Sequence, residues 1–417
     1  MIRPGRLAVL LPVMALAAPA GEAQTYHSTL ASSLDFSDMG RSVSLSGNTL
    51  AVGAPRDNGG GNSSGAVEIF VRSGSTWTFQ AELVVPGITS GSELGHAVSL
   101  EGDVVLAGAW GESDGSWVQP GYRRGAAAIF RRAGASWTLE AQLQPASVLA
   151  LDFFGRAVAL SGDVAAVGAP YADPLGESSG RVWIFRRVAG VWTEESTLVA
   201  PDGASGHRFG EAVALQGSTL VVGAPAAGGV VPDTGAAYVF NYDGSNWPLQ
   251  QRLAATDGAR GDRYASALAL DGDRLAVGVP RRDPAGVGNA GAVAVYALSA
   301  GVWQPETWLA AAVPHALDNL GSSIALRGEF LIAGAPDADS AAPMGGAAYL
   351  WHHVGSAWVA SNPLLAPPTT ATDSCGISVA VDGDWAAVGN LWRLAPGFGS
   401  NGGVDLWNGV LSAGGAP

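Results

Sequence analysis

The sequence contains no lysine; all 22 basic residues are arginine. It contains one cysteine, Cys375, so no disulfide can close within the chain and the fold must be held by packing. Positive charge is scarce, with 36 acids against 22 arginines and a net charge of −14. That balance argues against a nucleic-acid partner, because phosphate binding needs a basic face. An anionic membrane surface would also repel the chain at long range. Beyond the first residues no apolar stretch approaches the length of a membrane span, so no membrane insertion is expected.

The N-terminus reads as an export signal. Arg3 and Arg6 give a positive start, and Leu7 to Ala17 is an apolar run too short to span a membrane. Ala18-Pro19-Ala20 and Gly21-Glu22-Ala23 are two small-residue cleavage sites. Residues 1–23 are therefore expected to be a signal peptide cut after 20 or 23, sending the chain to the cell surface or beyond.

What is abundant is apolar residues, at 47%, together with 59 glycines and 24 prolines. These suit many short strands joined by turns. A repeat carries the strongest signal. A 13-residue step links Gly40 to Gly53, Gly95 to Gly108, Gly155 to Gly168, Gly210 to Gly223, Ala265 to Gly278, Gly321 to Gly334 and Gly376 to Gly389. Each unit holds four strand-like runs, as in Ala157–Leu160, Val164–Val167, Arg181–Phe185 and Trp192–Val199. The first two runs are apolar on both faces, as strands covered on both sides are. They meet at a Gly-polar pair such as Gly162-Asp163, which suits a two-residue type II′ turn. Each third run reaches an aromatic five residues after a fixed glycine, and in six units a tryptophan follows seven residues later: Trp77, Trp137, Trp192, Trp247, Trp303 and Trp358. A unit that repeats its tryptophan uses it for packing between neighbours.

Seven units of four antiparallel strands predict an all-β, seven-bladed β-propeller. The blades run over about 36–90, 91–150, 151–205, 206–260, 261–316, 317–371 and 372–417. The seventh lacks its fourth run. Ser28-Thr29-Leu30 resembles Ser196-Thr197-Leu198 of a fourth run, so residues 24–34 are expected to complete the last blade and close the ring.

These units resemble FG-GAP repeats, the blades of the integrin α-subunit propeller, and most of all those of bacterial secreted proteins. The resemblance rests on Phe154-Gly155, Phe209-Gly210 and the Gly-Ala-Pro at 53–55, 168–170, 223–225 and 334–336. It implies a propeller used for recognition or adhesion. Integrin-type calcium loops of the pattern DxDxDGxxD are missing where the two-residue turns stand. Two residues cannot supply the six to eight oxygens calcium takes, so no metal is expected; nor is a cofactor.

Other motifs fail on context. Gly61–Gly65 and Gly176–Gly180 match G-x-S-x-G, and Gly397–Gly402 matches G-x-G-x-x-G, but each precedes a strand where a helix is required. Arg260-Gly261-Asp262 falls in the same frame as Ser205-Gly206-His207 one unit earlier, so it arises from ordinary repeat sequence. Cys375 takes the place of Phe154 and Phe209 and reads as a core residue.

One feature breaks the repeat. The third-run aromatic follows the GAP glycine by 17 or 18 residues in six units and by 22 in the second. The longer loop contains Trp110, Trp117, Tyr122, Arg123 and Arg124, and the corresponding loop of unit seven contains Trp392, Arg393 and Phe398. Aromatics with arginine are enriched at binding hot spots. These eight residues are the candidate ligand site of a monomeric, non-catalytic module for an extracellular protein or glycan. The alternative is an extracellular hydrolase or polysaccharide-acting enzyme with its site at the central mouth, signalled by acids and a histidine converging there.

Overall fold

The computed structural model describes residues 24–31, 37–111, 123–228, 231–339, 344–365, 373–392 and 402–410. They form seven four-stranded antiparallel sheets arranged as a propeller. The sole helical element among the described residues is one 3-10 turn, Pro284–Gly286. Blade three shows the unit: a first strand Ala157–Ser161, a second Val164–Ala169, a third Arg181–Val188 and a fourth Val191–Leu198. The turn glycine between the first two, Gly162, has φ of 56°, and its six counterparts lie between 55° and 60°. Positive φ at the first turn position alone is the type II′ pattern.

The two inner strands differ from the expectation that both are covered on both faces. Second strands such as Thr49–Ala54, Val104–Ala109 and Val164–Ala169 are wholly buried. First strands such as Ser42–Ser46 are only half-buried, because they stand round the central axis with one face toward it. Serines tie these strands together. Ser42 Oγ donates to Gly95 O at 2.8 Å, and Ser378 Oγ donates to Gly40 O at 2.7 Å.

The hydrophobic core lies between blades. Leu106, Ile129 and Leu143 of blade two pack with Phe154, Val167, Trp183, Phe185 and Trp192 of blade three, and equivalent clusters fill the other six junctions. The 13-residue glycine step has a physical cause at these junctions. Gly155 N–H donates to Gly168 O within the blade. A Cβ on Gly168 would stand 2.1 Å from Gly210 O of the next blade, and its six counterparts would meet a carbonyl oxygen at 1.8–2.2 Å. Backbone lies directly on backbone, so only glycine fits.

The repeated tryptophans serve the same junctions. Trp77, Trp192, Trp247 and Trp303 are buried. Trp137 Nε1 donates to Gln80 at 2.9 Å, Trp247 to Glu195 at 2.9 Å and Trp358 to Glu306 at 3.1 Å, each on the fourth strand of the preceding blade.

The ring closes as the sequence implied. Thr25–Ala31 pairs antiparallel with Gly403–Asn408 and becomes the fourth strand of blade seven. A buried polar knot fastens it: Thr29 Oγ1 donates to Asp405, whose other oxygen accepts from Asn390 Nδ2 at 3.0 Å.

Candidate functional site

The propeller has two ends, and they are built differently. At one end stand the Gly-polar hairpins. In six of the seven blades the hairpin glycine N–H is taken by the last residue of the preceding blade's first strand: Gly47 by Asp382, Gly102 by Ser46, Gly217 by Ser161, Gly272 by Gln216 and Gly328 by Asp271, at 2.6–3.1 Å. Gly162 bonds Glu101 in the same way. Side chains at this end are spent on a circumferential belt.

At the other end lie the turns that open each first strand and the loops leaving each second strand. The residue before each FG aromatic, or its substitute, has φ between 52° and 58°: Asp38, Glu93, Phe153, Arg208, Arg263, Asn319 and Ser374. That left-handed conformation is strained for a side chain-bearing residue. The ring enforces it, because the following N–H is fixed to the previous blade; Leu94 N donates to Ser64 O and Phe154 N to Arg124 O, both at 3.0 Å. One locked position thus presents six residue types round the mouth, arginine twice.

Blades two to four build the densest part of this end. Trp110 Nε1 donates to Glu93 Oε2 at 2.9 Å, and the guanidinium of Arg123 lies 5.1 Å from the indole centre and 3.6 Å from Glu93 Oε1. Trp110 meets Phe153 edge to face at 4.9 Å, Phe153 meets Tyr171 at 5.1 Å, and Arg208 sits 5.0 Å from the Tyr171 ring. An aromatic row interleaved with arginine therefore runs across three blades.

His96 lies on the axial side of this row, 5.3 Å from Trp110. Burial, then the charges of Arg41 and Arg156, push its pKa well below the usual imidazole range. Arg156 donates to His96 Nε2. A guanidinium can only donate, so Nε2 carries the lone pair and Nδ1 the proton. Nδ1 is 3.9 Å from Glu93, and Arg156 also pairs with Glu211 at 3.3 Å. The histidine's one basic nitrogen is already engaged.

Of the eight residues singled out by sequence, Trp110 and Arg123 come together on Glu93. Arg124 uses its backbone carbonyl to hold Phe154 N–H. Trp392, 39% exposed, takes on blade seven the place of Gly111, one residue beyond that of Trp110, and its backbone N–H donates to Asp373 O. Trp117, Tyr122, Arg393 and Phe398 lie outside the described residues, as does the proposed signal at 1–23. Asp262 of the Arg-Gly-Asp tripeptide is buried and accepts from Ala259 N–H at 2.8 Å, so its carboxylate closes a turn. The serine-containing loop at 176–180 leads into a strand, and Cys375 is buried at its FG place.

Sequence reading missed Glu93, His96, Phe153, Arg156, Tyr171, Arg208, Arg263 and Arg281. The signal was present in the columns that flank the FG pair on either side and in the position after the GAP proline. All three change from unit to unit while their neighbours stay fixed.

A family model described as FG-GAP repeat matches residues 35–70, 137–185, 192–240 and 247–296. The chain is an FG-GAP repeat protein. Three of the matched units begin near the tryptophan of one blade's fourth strand and end at the third-strand aromatic of the next. The FG-GAP repeat is thus offset from the blade by one strand, the same offset that lets the N-terminal strand close the ring. The seven-bladed architecture is consistent with an integrin α-like propeller. A solved structure titled "Crystal Structure of Mitotic Checkpoint Complex" is similar over 95% of this chain and 99% of that one, with a TM-score of 0.54 and 14% identity, a likeness of fold alone. No helix among the described residues is long and apolar enough to cross a membrane.

Proposed function

We propose that this FG-GAP propeller is an exported, non-catalytic recognition module that binds an extracellular protein or glycan through the end carrying the FG turns and second-to-third-strand loops. One observation carries the reading: at that end a locked, strained backbone position displays six residue types over seven blades, while the opposite end repeats one structural bond in six of them. A repeat scaffold gains a specific surface only where its units differ. The row Trp110–Phe153–Tyr171 with Arg123 and Arg208 supplies residue types that anchor interfaces. The enzyme alternative is favoured by His96 standing near Glu93, but the guanidinium on Nε2 leaves that ring no free lone pair for a proton.

The test is a binding screen of the chain against arrayed glycans and cell-surface proteins, repeated with Trp110→Ala and with Arg327→Gln, a change at the hairpin end. Loss of a hit with the first variant alone supports the reading. Retained binding with Trp110→Ala and loss with Arg327→Gln would move the interface to the other end. Hydrolysis of a glycan or ester substrate that disappears in His96→Ala would favour the enzyme.

A further inference from the structure

Most arginines among the described residues of this acidic chain have a carboxylate partner. Arg56 pairs with Asp38, Arg131 and Arg187 with Glu140, Arg186 with Glu195, Arg252 with Asp202 and Arg282 with Asp257. Three that have none among the described residues converge on one place. Arg208 precedes the FG pair of blade four, Arg263 occupies the same place in blade five, and Arg281 follows the GAP-type proline of blade five. All three line a cleft of about 500 Å³ that spans blades three to five.

The three guanidiniums lie within each other's fields. Burial, then the charges of Arg281 and Arg208, pull the pKa of Arg263 down. Asp233 lines the same cleft but is engaged by Arg260 at 3.5 Å, and Glu177 is exposed at its edge. Nearby backbone donors are taken: Gly261 N–H by Asp233 O and Gly206 N–H by Glu177 O. The charged donors left in the cleft are the guanidiniums, whose forked N–H groups match a tetrahedral oxyanion. Clustering like charge without partners opposes folding, and a bound dianion would offset it.

We propose that Arg208, Arg263 and Arg281 form a site for a sulfate or phosphate group carried on a larger ligand. The cleft volume is that of a small-molecule pocket, far larger than a single oxyanion fills, so it leaves room for the moiety that bears the group. The guanidinium of Arg208 lies over the Tyr171 ring, which joins it to the aromatic row. The site deepens the recognition reading, since it names the chemistry bound at the same end of the propeller.

The experiment is calorimetric titration of the full chain with four probes: inorganic sulfate, inorganic phosphate, heparin as a sulfated polymer and hyaluronate as a polymer with carboxylates alone. Heparin should bind, and hyaluronate should bind at least tenfold more weakly. Arg263→Gln and Arg281→Gln should each weaken heparin about tenfold, from the loss of one charge-assisted contact. Their melting temperatures should not fall below the parent's, because both side chains are exposed and each change removes like-charge repulsion. Arg327→Gln, at the hairpin end, should bind like the parent. Sulfate or phosphate binding without heparin binding would restrict the site to free anions and overturn the carried-group assignment. Heparin binding unchanged in both arginine variants, or equal to hyaluronate, would overturn the site itself. Inorganic sulfate binding lost in Arg263→Gln while the glycan and protein screen stays blank would uphold the oxyanion chemistry and sink the recognition reading instead.

Discussion

The two ends of the propeller come from the same seven repeats and have opposite characters. At the hairpin end, a side chain of one blade holds the turn N–H of the next, and the acids Glu101, Asp271 and Asp382 are spent on that bond. At the loop end the backbone does the holding, through FG turns fixed to the previous blade, and the side chains are released to differ. Where backbone secures the ring, side chains of any class can stand; where side chains secure it, the residue must be a hydrogen-bond acceptor, as Ser46, Glu101, Ser161, Gln216, Asp271 and Asp382 are. Each prediction below probes one side of that division.

The largest effect belongs to the inter-blade core. Trp192→Ala should cost about 3–5 kcal/mol, as for a buried aromatic whose cavity cannot collapse, measured by urea denaturation. Trp110→Ala, at the half-buried loop end, should cost no more than about 2 kcal/mol while removing any ligand signal. If the two lost equal stability and binding survived Trp110→Ala, the loop end would be one more part of the scaffold.

The closure comes next. Thr29→Val keeps the shape of the side chain but leaves the buried carboxylate of Asp405 without one donor, at about 1.5–3 kcal/mol for a bond to a charged group. Blade seven should open first, seen as faster hydrogen exchange in 403–408 than in 181–188. Uniform exchange across blades would show that the knot is dispensable.

Glycine gives a cleaner contrast. Gly168→Ala drives a methyl into the Gly210 carbonyl and should cost about 1–3 kcal/mol. Gly288→Ala adds the same methyl where no atom lies within 4 Å, and should shift stability by less than about 0.5 kcal/mol. Equal effects would refute backbone-on-backbone contact as the reason for the 13-residue step.

The smallest effect is one of pH. Burial raises the Glu140 pKa, but the hydrogen bonds and charges of Arg131 and Arg187 together outweigh it and leave the group below its ordinary 4.5. The stability Glu140 contributes is present above the unfolded pKa and lost as pH falls through the lower folded value. Asp152, Asp262 and Asp318, in the turns of the loop end, are shifted the other way, raised above 3.8 chiefly by burial. Stability linked to them falls as pH rises from 3.8 through their folded values. The melting-temperature gap between parent and Glu140→Gln should therefore shrink below pH 4.5, whereas Asp262→Asn should compare more favourably with the parent at pH 7 than at pH 3. A gap for Glu140→Gln that widens on acidification would reverse the assigned sign.

Much of this was legible in the residues themselves. Repetition of glycine, aromatic and tryptophan at fixed steps determined the number of blades, the strands within each and the closing role of the N-terminal segment, because a structure repeated seven times must repeat its packing residues. The long loop of unit two was also legible, and it led to Trp110 and Arg123. The partners that give those residues meaning were not. Glu93 lies 17 residues before Trp110, Phe153 lies 43 after it, and Arg208, Arg263 and Arg281 come from two blades; none of these separations follows a strand or helix period. Their meeting depends on each blade laying its backbone on the next and on a left-handed turn that aims one side chain per blade at the mouth. The sequence by itself determined the ring, since identical local rules suffice to build it. Only the tertiary structure decided which unlike residues share an end, because that depends on how the ring brings distant parts of the chain together.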